Sequence, residues 1–356
     1  MSSTGSENPE HCGDKGSSPS SHELELDMSL QIPVLDMEDL RRRSSSSSSS
    51  NRHCKLGSQL STAKEELLKA CKEWGTFHIV NHAIPMEVIE RYRALMMKIF
   101  SLPLEHKLKA KRSQFSVFGY EYKQNSGPLD IFQVGDQDAI IHYYARKFFP
   151  DSCPSEFCAT IKECKEALCK LSIELLDIVI EGLGINPNDF DVYKRDMQAV
   201  LRANYYHRTD SQEQVIGLTP HMDGGFITLL LQDDVAGLEV VKDGEWFCVK
   251  PERGTICVHF GDMLEVFTNG HLKSIQHRSL APTTKPRLSI GYFLIPLDTV
   301  VVSAAPEFVD AKSNPPMFRP FKWLEYMEVH RYLRLGLNGV FRPNPSSLLF
   351  FKAADV

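Results

Sequence analysis

The sequence predicts an α+β protein: a mainly helical first half leads into an antiparallel β-sandwich or barrel, which one further helix closes. Three observations carry this. Apolar residues recur at helical spacing in TAKEELLKACKEWG and again across residues 155–183. From Leu201 onward, short runs rich in Val, Ile, Phe and Tyr return at intervals of roughly ten residues, separated by turn dipeptides. After Pro315 the helical period comes back in FKWLEYMEVHRYLRL.

Taken in order, residues 1–28 are rich in Ser, Gly, Glu and Pro, too polar to bury a core, and are expected to be disordered. Residues 29–195 form the mainly helical region. IPVLDM (Ile32 to Met37) has strand composition, and RRRSSSSSSSN (residues 41–51) reads as a flexible surface loop. In the next helix, Thr62 and Glu65 make a capping box, Ala63, Leu67, Ala70, Cys71 and Trp74 share a face, and Gly75 stops it. FHIVNH is a strand, and a helix starts near Pro85. The long helix 155–183 has Phe157, Ile161, Cys164, Leu168, Leu171 and Leu175 as its buried stripe and ends at Gly184. Residues 196–300 hold the strands RANYY, FITLLLQ, GLEVV, WFCVK, TICVHF, SIQHRSL and RLSIGYF, with turns at Asp243-Gly244, Arg253-Gly254 and Asn269-Gly270. Residues 301–356 supply the last helix and a loose tail.

Composition narrows the function classes. With 42% hydrophobic and 24% charged residues among 356, the chain can bury a large core. A net charge of -6 without a basic face argues against nucleic acid as the main partner. No apolar run approaches the ~18 residues of a membrane span, and the first residues lack the layout of a secretory signal. The nine cysteines follow no disulfide framework. Cys153, Cys158, Cys164 and Cys169 have spacing unsuited to zinc and belong on a helix. A reducing, cytoplasmic setting is expected, with a monomer acting on a small molecule and neither nucleic acid nor membrane as partner.

The chemistry concentrates in LTPHMDGGFITLL (residues 218–230). His221 and Asp223 stand at i and i+2, so on a strand both side chains point the same way. Imidazole and carboxylate suit a divalent first-row metal, and Gly224 and Gly225 clear space beside them. His277 in SIQHRSL offers a third ligand on another strand. Two histidines and one carboxylate on one face leave coordination positions open, the arrangement of non-haem Fe(II) oxygenases. Arg287 and Ser289 in RLSIGYF also share a face, and a guanidinium fork beside a hydroxyl clamps a carboxylate. A buried arginine without an anion would be costly.

With these residues, HMD…NGHLKSIQHR…PRLSIGYF resembles the iron- and 2-oxoglutarate-dependent dioxygenases of plants, the group that includes isopenicillin N synthase. ACKEWGTFHIVNHAI, FSLPLEHK and FGDMLEVFTNG match that family's segments too, and the resemblance covers residues 30 to 335. It implies a double-stranded β-helix (jelly-roll, cupin-like) core, Fe(II) on His221, Asp223 and His277, and 2-oxoglutarate on Arg287 and Ser289 with Asn204 and Tyr206 beside it. O2 is then consumed, ascorbate serves as reductant, and the outcome is hydroxylation or desaturation of a small organic molecule. The chain departs from the pattern at His207, where the family has proline.

Phe293, an even number of residues after Arg287, should face the metal. Phe226, Phe118, Tyr120 and Phe132 are expected to complete an aromatic pocket wall suited to a flat organic acid or phenolic. HMDGGFITLL with PLDT…APEFVDA resembles the branch containing the dioxygenases for auxin oxidation, while gibberellin- and flavonoid-oxidising enzymes share most of the same skeleton. His78 and His82 read as structural, His259 as one face away from the site, and His106, His142, His271 and His330 as surface or loop groups. Two other readings keep the fold: an oxidase that does not use 2-oxoglutarate, which would form no succinate, and a catalytically silent ligand-binding module, which an intact triad disfavours.

Overall fold

The computed structural model describes residues 31–42, 56–113, 116–124, 127–335 and 346–353. The expected disordered tail 1–28 and the serines up to Asn51 lie outside them. The helices are α1 (Met37–Arg41), α2 (Leu56–Glu73), α3 (Met86–Phe100), α4 (Leu104–Lys107), α5 (Asp138–Phe148), α6 (Ser155–Gly182), α7 (Pro187–Arg195), α8 (Asp262–Phe267) and α9 (Trp323–Leu335). The first strands are β1 (Val34–Asp36), β2 (Thr76–Val80), β3 (Gly119–Lys123) and β4 (Leu129–Gly135). β5 (Met197–Tyr206), β6 (Ile216–His221), β7 (Ile227–Gln232), β8 (Leu238–Lys242) and β9 (Glu245–Val249) follow. The last are β10 (Ile256–Phe260), β11 (His277–Leu280), β12 (Arg287–Pro296), β13 (Val301–Val302) and β14 (Phe321–Lys322).

Two sheets make the jelly roll. The larger runs β1-β2-β10-β7-β12-β5-β4-β3, and the smaller runs β6-β11-β8-β9. Contacts cross between their facing sides: the His259 ring of β10 lies against that of His277 in β11, and Arg287 of β12 donates to Ser279 Oγ of β11 at 3.4 Å. On its other face the larger sheet is backed by α6, which also packs against α2, α3 and α5. All six residues expected in the α6 stripe are buried. Burying each such side chain is worth about 1.5–3 kcal/mol, which explains how a long helix is held flat on a sheet. Gly184, at φ +74, ends it as expected. The hairpin between β8 and β9 turns at Asp243 and Gly244, both at positive φ, the geometry that Asp-Gly favours.

The larger sheet spans the boundary drawn at residue 196. Four strands from the helical half join the larger sheet, with β1 and β2 at one edge and β4 and β3 at the other. β4 escaped notice because its largely buried run lacks the alternation of a half-exposed strand, and β3 is only five residues long. Helix α2 starts at Leu56, so Thr62 and Glu65 lie inside it; the preceding LGSQLS contains no proline to stop the helix from extending. Arg41, placed by sequence in the flexible loop, is the last residue of α1 and pairs with Glu174 of α6 at 2.8 Å. Asn269-Gly270 ends α8 instead of joining two strands. The tail is not loose throughout: Ser347–Phe351 form a short 3-10 helix with Leu348 and Phe351 buried.

Candidate active site

β6 and β11 pair antiparallel with His221 directly opposite His277, and their ring centroids are 4.2 Å apart. His221 is thus the last residue of β6, and Asp223 sits in the turn that follows, not at the start of the next strand. That turn is tightly packed. A Cβ on Gly225 would lie 2.6 Å from the Leu294 carbonyl oxygen, and one on Gly224 would lie 2.8 Å from the Tyr326 ring. The Phe226 N–H donates to Leu294 O at 2.9 Å, and the Asp262 N–H to Asp223 O at 2.8 Å. Two glycines therefore let the loop slip between β12, α8 and α9, which presents the Asp223 carboxylate to both histidines.

Asp223 Oδ1 lies 3.8 Å from His221 Nε2 and 3.7 Å from His277 Nε2, and one donor atom from each residue falls within 4.8 Å of the others. Bonds of about 2.1 Å let two donors on one ion stand up to about 4.2 Å apart, so both separations fit a single metal. The tautomers fit as well. His221 Nδ1 bonds the Thr219 carbonyl at 2.8 Å and His277 Nδ1 the Ile275 carbonyl at 3.1 Å. A carbonyl only accepts, so each Nδ1 carries the proton and each Nε2 offers its lone pair. Asp223 Oδ2 is buried with no hydrogen-bond partner, a cost that a cation would remove. Among the described residues this is the one His, Cys, Asp and Glu cluster with such spacing.

Deeper in, Arg287 is fully buried. Its Nε donates to Val235 O at 3.1 Å, Nη1 to Ser279 Oγ at 3.4 Å and Nη2 to Gln232 Oε1 at 2.8 Å, while the Tyr206 ring lies 5.0 Å from its centre. None of those acceptors is charged. A guanidinium held this way in the interior calls for an anion. Gly237 leaves it room, since a Cβ there would stand 3.2 Å from Arg287 Cδ. Asn204 Nδ2 donates to Ser289 Oγ at 3.4 Å, and Asn204 Oδ1 accepts from Arg202 Nε at 2.9 Å. Asn204, Tyr206, Arg287 and Ser289 share the inner face through the register Asn204–Ser289 and Tyr206–Arg287.

A pocket opens over the metal site, lined by His221, Asp223 and Phe293 below and by Trp323, Tyr326 and His330 of α9 above. Arg112, Val117, Gln133 and Arg202 are also part of its lining, with the apolar Val200, Met222, Ile295 and Met327. Phe293 is where sequence placed it. The other four expected wall residues are not. Phe226 packs in the core against Phe190 and Tyr193, each at 5.4 Å. Phe132 packs on Tyr144 and Phe148, and Tyr120 gives its hydroxyl to Asp130 on that same outer face. Phe118 covers Gly135. Beside Phe132 it is the neighbour Gln133 that takes the pocket side, because side chains alternate along a strand, and beside Phe118 it is Val117 that lines the pocket.

His207 is no ligand. It points away from Tyr206's face, and its Nε2 bonds Asp130 Oδ2 at 2.7 Å, while Lys107 Nζ bonds Oδ1 at 2.9 Å. His330 lines the pocket instead of the open surface. His259 is not one face away: it stacks on His277 at 4.8 Å, and burial holds its imidazole well below the ordinary range. Burial pushes the Asp262 carboxyl up to about 7, and Tyr326 donates to its Oδ2 at 2.7 Å, tying α9 to the Asp223 loop. Sequence reasoning missed Gln232, Ser279, Arg112, Arg202, Trp323 and Tyr326. Only Arg202 carried a signal: it lies two residues before Asn204, on the same face of the strand.

Comparison with known proteins agrees with this geometry. Residues 197–296 match the 2OG-Fe(II) oxygenase superfamily, and residues 32–150 match the non-haem dioxygenase in morphine synthesis N-terminal family. The chain is 31% identical over 302 residues to oxoglutarate-dependent flavonoid 7-O-demethylase 1 of Ocimum basilicum, covering 84% of this chain and 77% of that one. It is 30% identical over 293 residues to gibberellin 3-beta-dioxygenase 1 of Pisum sativum, covering 79% and 77%. The crystal structure of JOX2 with 2OG, Fe and JA superposes with a TM-score of 0.74 at 26% identity, over 91% of this chain and 90% of that one. The rice dioxygenase for auxin oxidation superposes at 0.72 with 25% identity, over 91% and 100%. Among the described residues no helix is long and apolar enough to cross a membrane.

Proposed function

The chain belongs to the 2OG-Fe(II) oxygenase superfamily, a 2-oxoglutarate-dependent oxidoreductase, and from that premise we propose that it hydroxylates a small organic acid with a flat apolar body. His221, Asp223 and His277 would hold Fe(II), each imidazole through Nε2. Arg287 would take the distal carboxylate of 2-oxoglutarate, with Ser289, Tyr206 and Asn204 beside it. When bound, the iron and cosubstrate supply an oxygenating reaction in which O2 is consumed, 2-oxoglutarate becomes succinate and CO2, and one oxygen atom enters a substrate C–H bond. The protein's own residues do the positioning. The Thr219 and Ile275 carbonyls keep both Nε2 atoms unprotonated. Trp323 and Tyr326 line the pocket from α9.

The observation that carries the substrate class is the charge of the wall. The guanidiniums of Arg202 and of Arg112, the latter also paired with Glu121 at 2.7 Å, face the pocket together with the apolar Phe293, Val117 and Met327. Cations beside an apolar floor suit a carboxylate on a flat skeleton. Relatives named for gibberellin and auxin oxidation support a plant-hormone-like acid, acted on by a soluble cytoplasmic monomer with ascorbate keeping the iron reduced. The test is incubation with Fe(II), 2-oxoglutarate and ascorbate against indole, gibberellin and phenolic acids and their methyl esters, reading succinate and mass gain. Acids should gain one oxygen with matching succinate, and esters should turn over poorly. Esters turned over as fast as acids would remove the carboxylate reading; oxidation without succinate would remove 2-oxoglutarate.

A further inference from the structure

Beside the two metal-site imidazoles lies a third that the chemistry above does not use. His259, in β10, is 1% exposed. Its ring lies face to face with His277, centroids 4.8 Å apart and planes within 2°. Register explains the placement. His259 pairs with Thr76 of β2 on one side and Thr228 of β7 on the other, and Thr228 pairs with Phe293 of β12. Residues paired across a sheet share a face, so His259 points inward with Phe293, towards the strand that carries His277.

Hydrogen bonding does not account for a histidine there. Its Nδ1 is buried with no partner, and its Nε2 faces the Cys257 thiol at 3.8 Å. An imidazole so poorly satisfied is costlier to bury than an apolar side chain. What it offers in return is a flat aromatic face.

We infer that His259 is a positioning residue for the metal centre, its parallel ring fixing the plane of the His277 imidazole and so the aim of Nε2. The inference rests on the ligand set His221, Asp223 and His277. The Nδ1 bond to the Ile275 carbonyl pins one atom of the His277 ring, and a ring pinned at one atom still tilts about that contact. A second ring stacked on its face removes the tilt. His221 benefits indirectly, because its ring centroid lies 4.2 Å from that of His277. Groups that orient a metal-bound imidazole are worth about 10- to 100-fold in metal affinity.

The test uses the full chain stripped of metal and titrated with Mn(II), reading the loss of the free-ion electron paramagnetic resonance signal, with melting in EDTA measured separately. His259→Ala and His259→Leu should bind Mn(II) about tenfold more weakly, and His259→Phe, which keeps a flat face, as tightly as the parent. Leu fills the volume, so a His259→Leu chain that binds like the parent overturns the inference, as does a His259→Phe chain as weak as His259→Ala. Should His259→Phe fail to fold, the comparison of His259→Leu with the parent decides. His277→Ala separates the two levels. If it keeps parental Mn(II) affinity, the ligand assignment fails and the inference with it; if it loses Mn(II) while His259→Leu does not, only the inference fails.

Discussion

His78 shows how a single side chain links burial to solution behaviour. It is buried on β2 with Nε2 unpartnered, and desolvation lowers its pKa; His82, also lowered first by burial and then by Arg41, behaves alike. A histidine whose folded pKa is depressed favours the neutral form in the fold. Its contribution is present above the unfolded value of 6.5 and is lost as pH falls through the folded value. The melting temperature should therefore fall between about pH 7.5 and about pH 5.5, and His78→Phe should flatten that slope. An unchanged slope in the variant would show that His78 is not responsible. At this scale the sequence was most informative where chemistry needs rare residue types. The histidine and aspartate two apart and the distant histidine on a strand come within reach of one another, and the arginine and serine two apart share the inner face of β12. Gln232 and Ser279, the neutral partners of Arg287, were not legible, because any polar residue at a strand end looks solvated until its neighbours are known.

The turn between β6 and β7 acts as an element in its own right, clamped by β12, α8 and α9. Gly225→Ala sets a methyl group 2.6 Å from a backbone oxygen that β12 cannot move. Overpacking of this kind costs about 1–3 kcal/mol, and the shift should reach Asp223. Denaturant melts of the metal-free chain should show that loss, and Mn(II) affinity should fall with it. Gly224→Ala, which meets side-chain atoms of Tyr326 and Trp323 and no backbone atom among its nearest contacts, should be milder. Equal effects of the two variants would refute the clamp. Elements also show where sequence reading stopped. Phe132 and Tyr120 were both given to one aromatic wall, and they do share a face, but nothing in the sequence says which face of β4 looks inward, since both faces of that strand are buried. The aromatic wall was accordingly assigned to the wrong side, and α9, whose docking is purely tertiary, was not seen as the roof.

Across the whole molecule, the C-terminal segment supports the site without touching it. Phe351 is buried against Phe321 at 4.1 Å and Tyr326 at 6.2 Å, and Tyr326 lines the pocket. Phe351→Ala should destabilise the chain by about 3 kcal/mol and raise KM for the organic substrate. KM for 2-oxoglutarate should stay put, because Arg287 is not among the residues that line this pocket. Parallel rises in both constants would count against the roof.

The strand order of the larger sheet, in which strands from before position 196 flank those from after it on both sides, reaches further. β2 borders β10, and β4 borders β5. Neither part of the polypeptide can complete its sheet without the other, so the oxygenase barrel is not a portable cassette. During synthesis the early strands must wait, with their hydrogen-bonding edges unmet, until β5 and β10 leave the ribosome. That interval is when this protein is most exposed to aggregation.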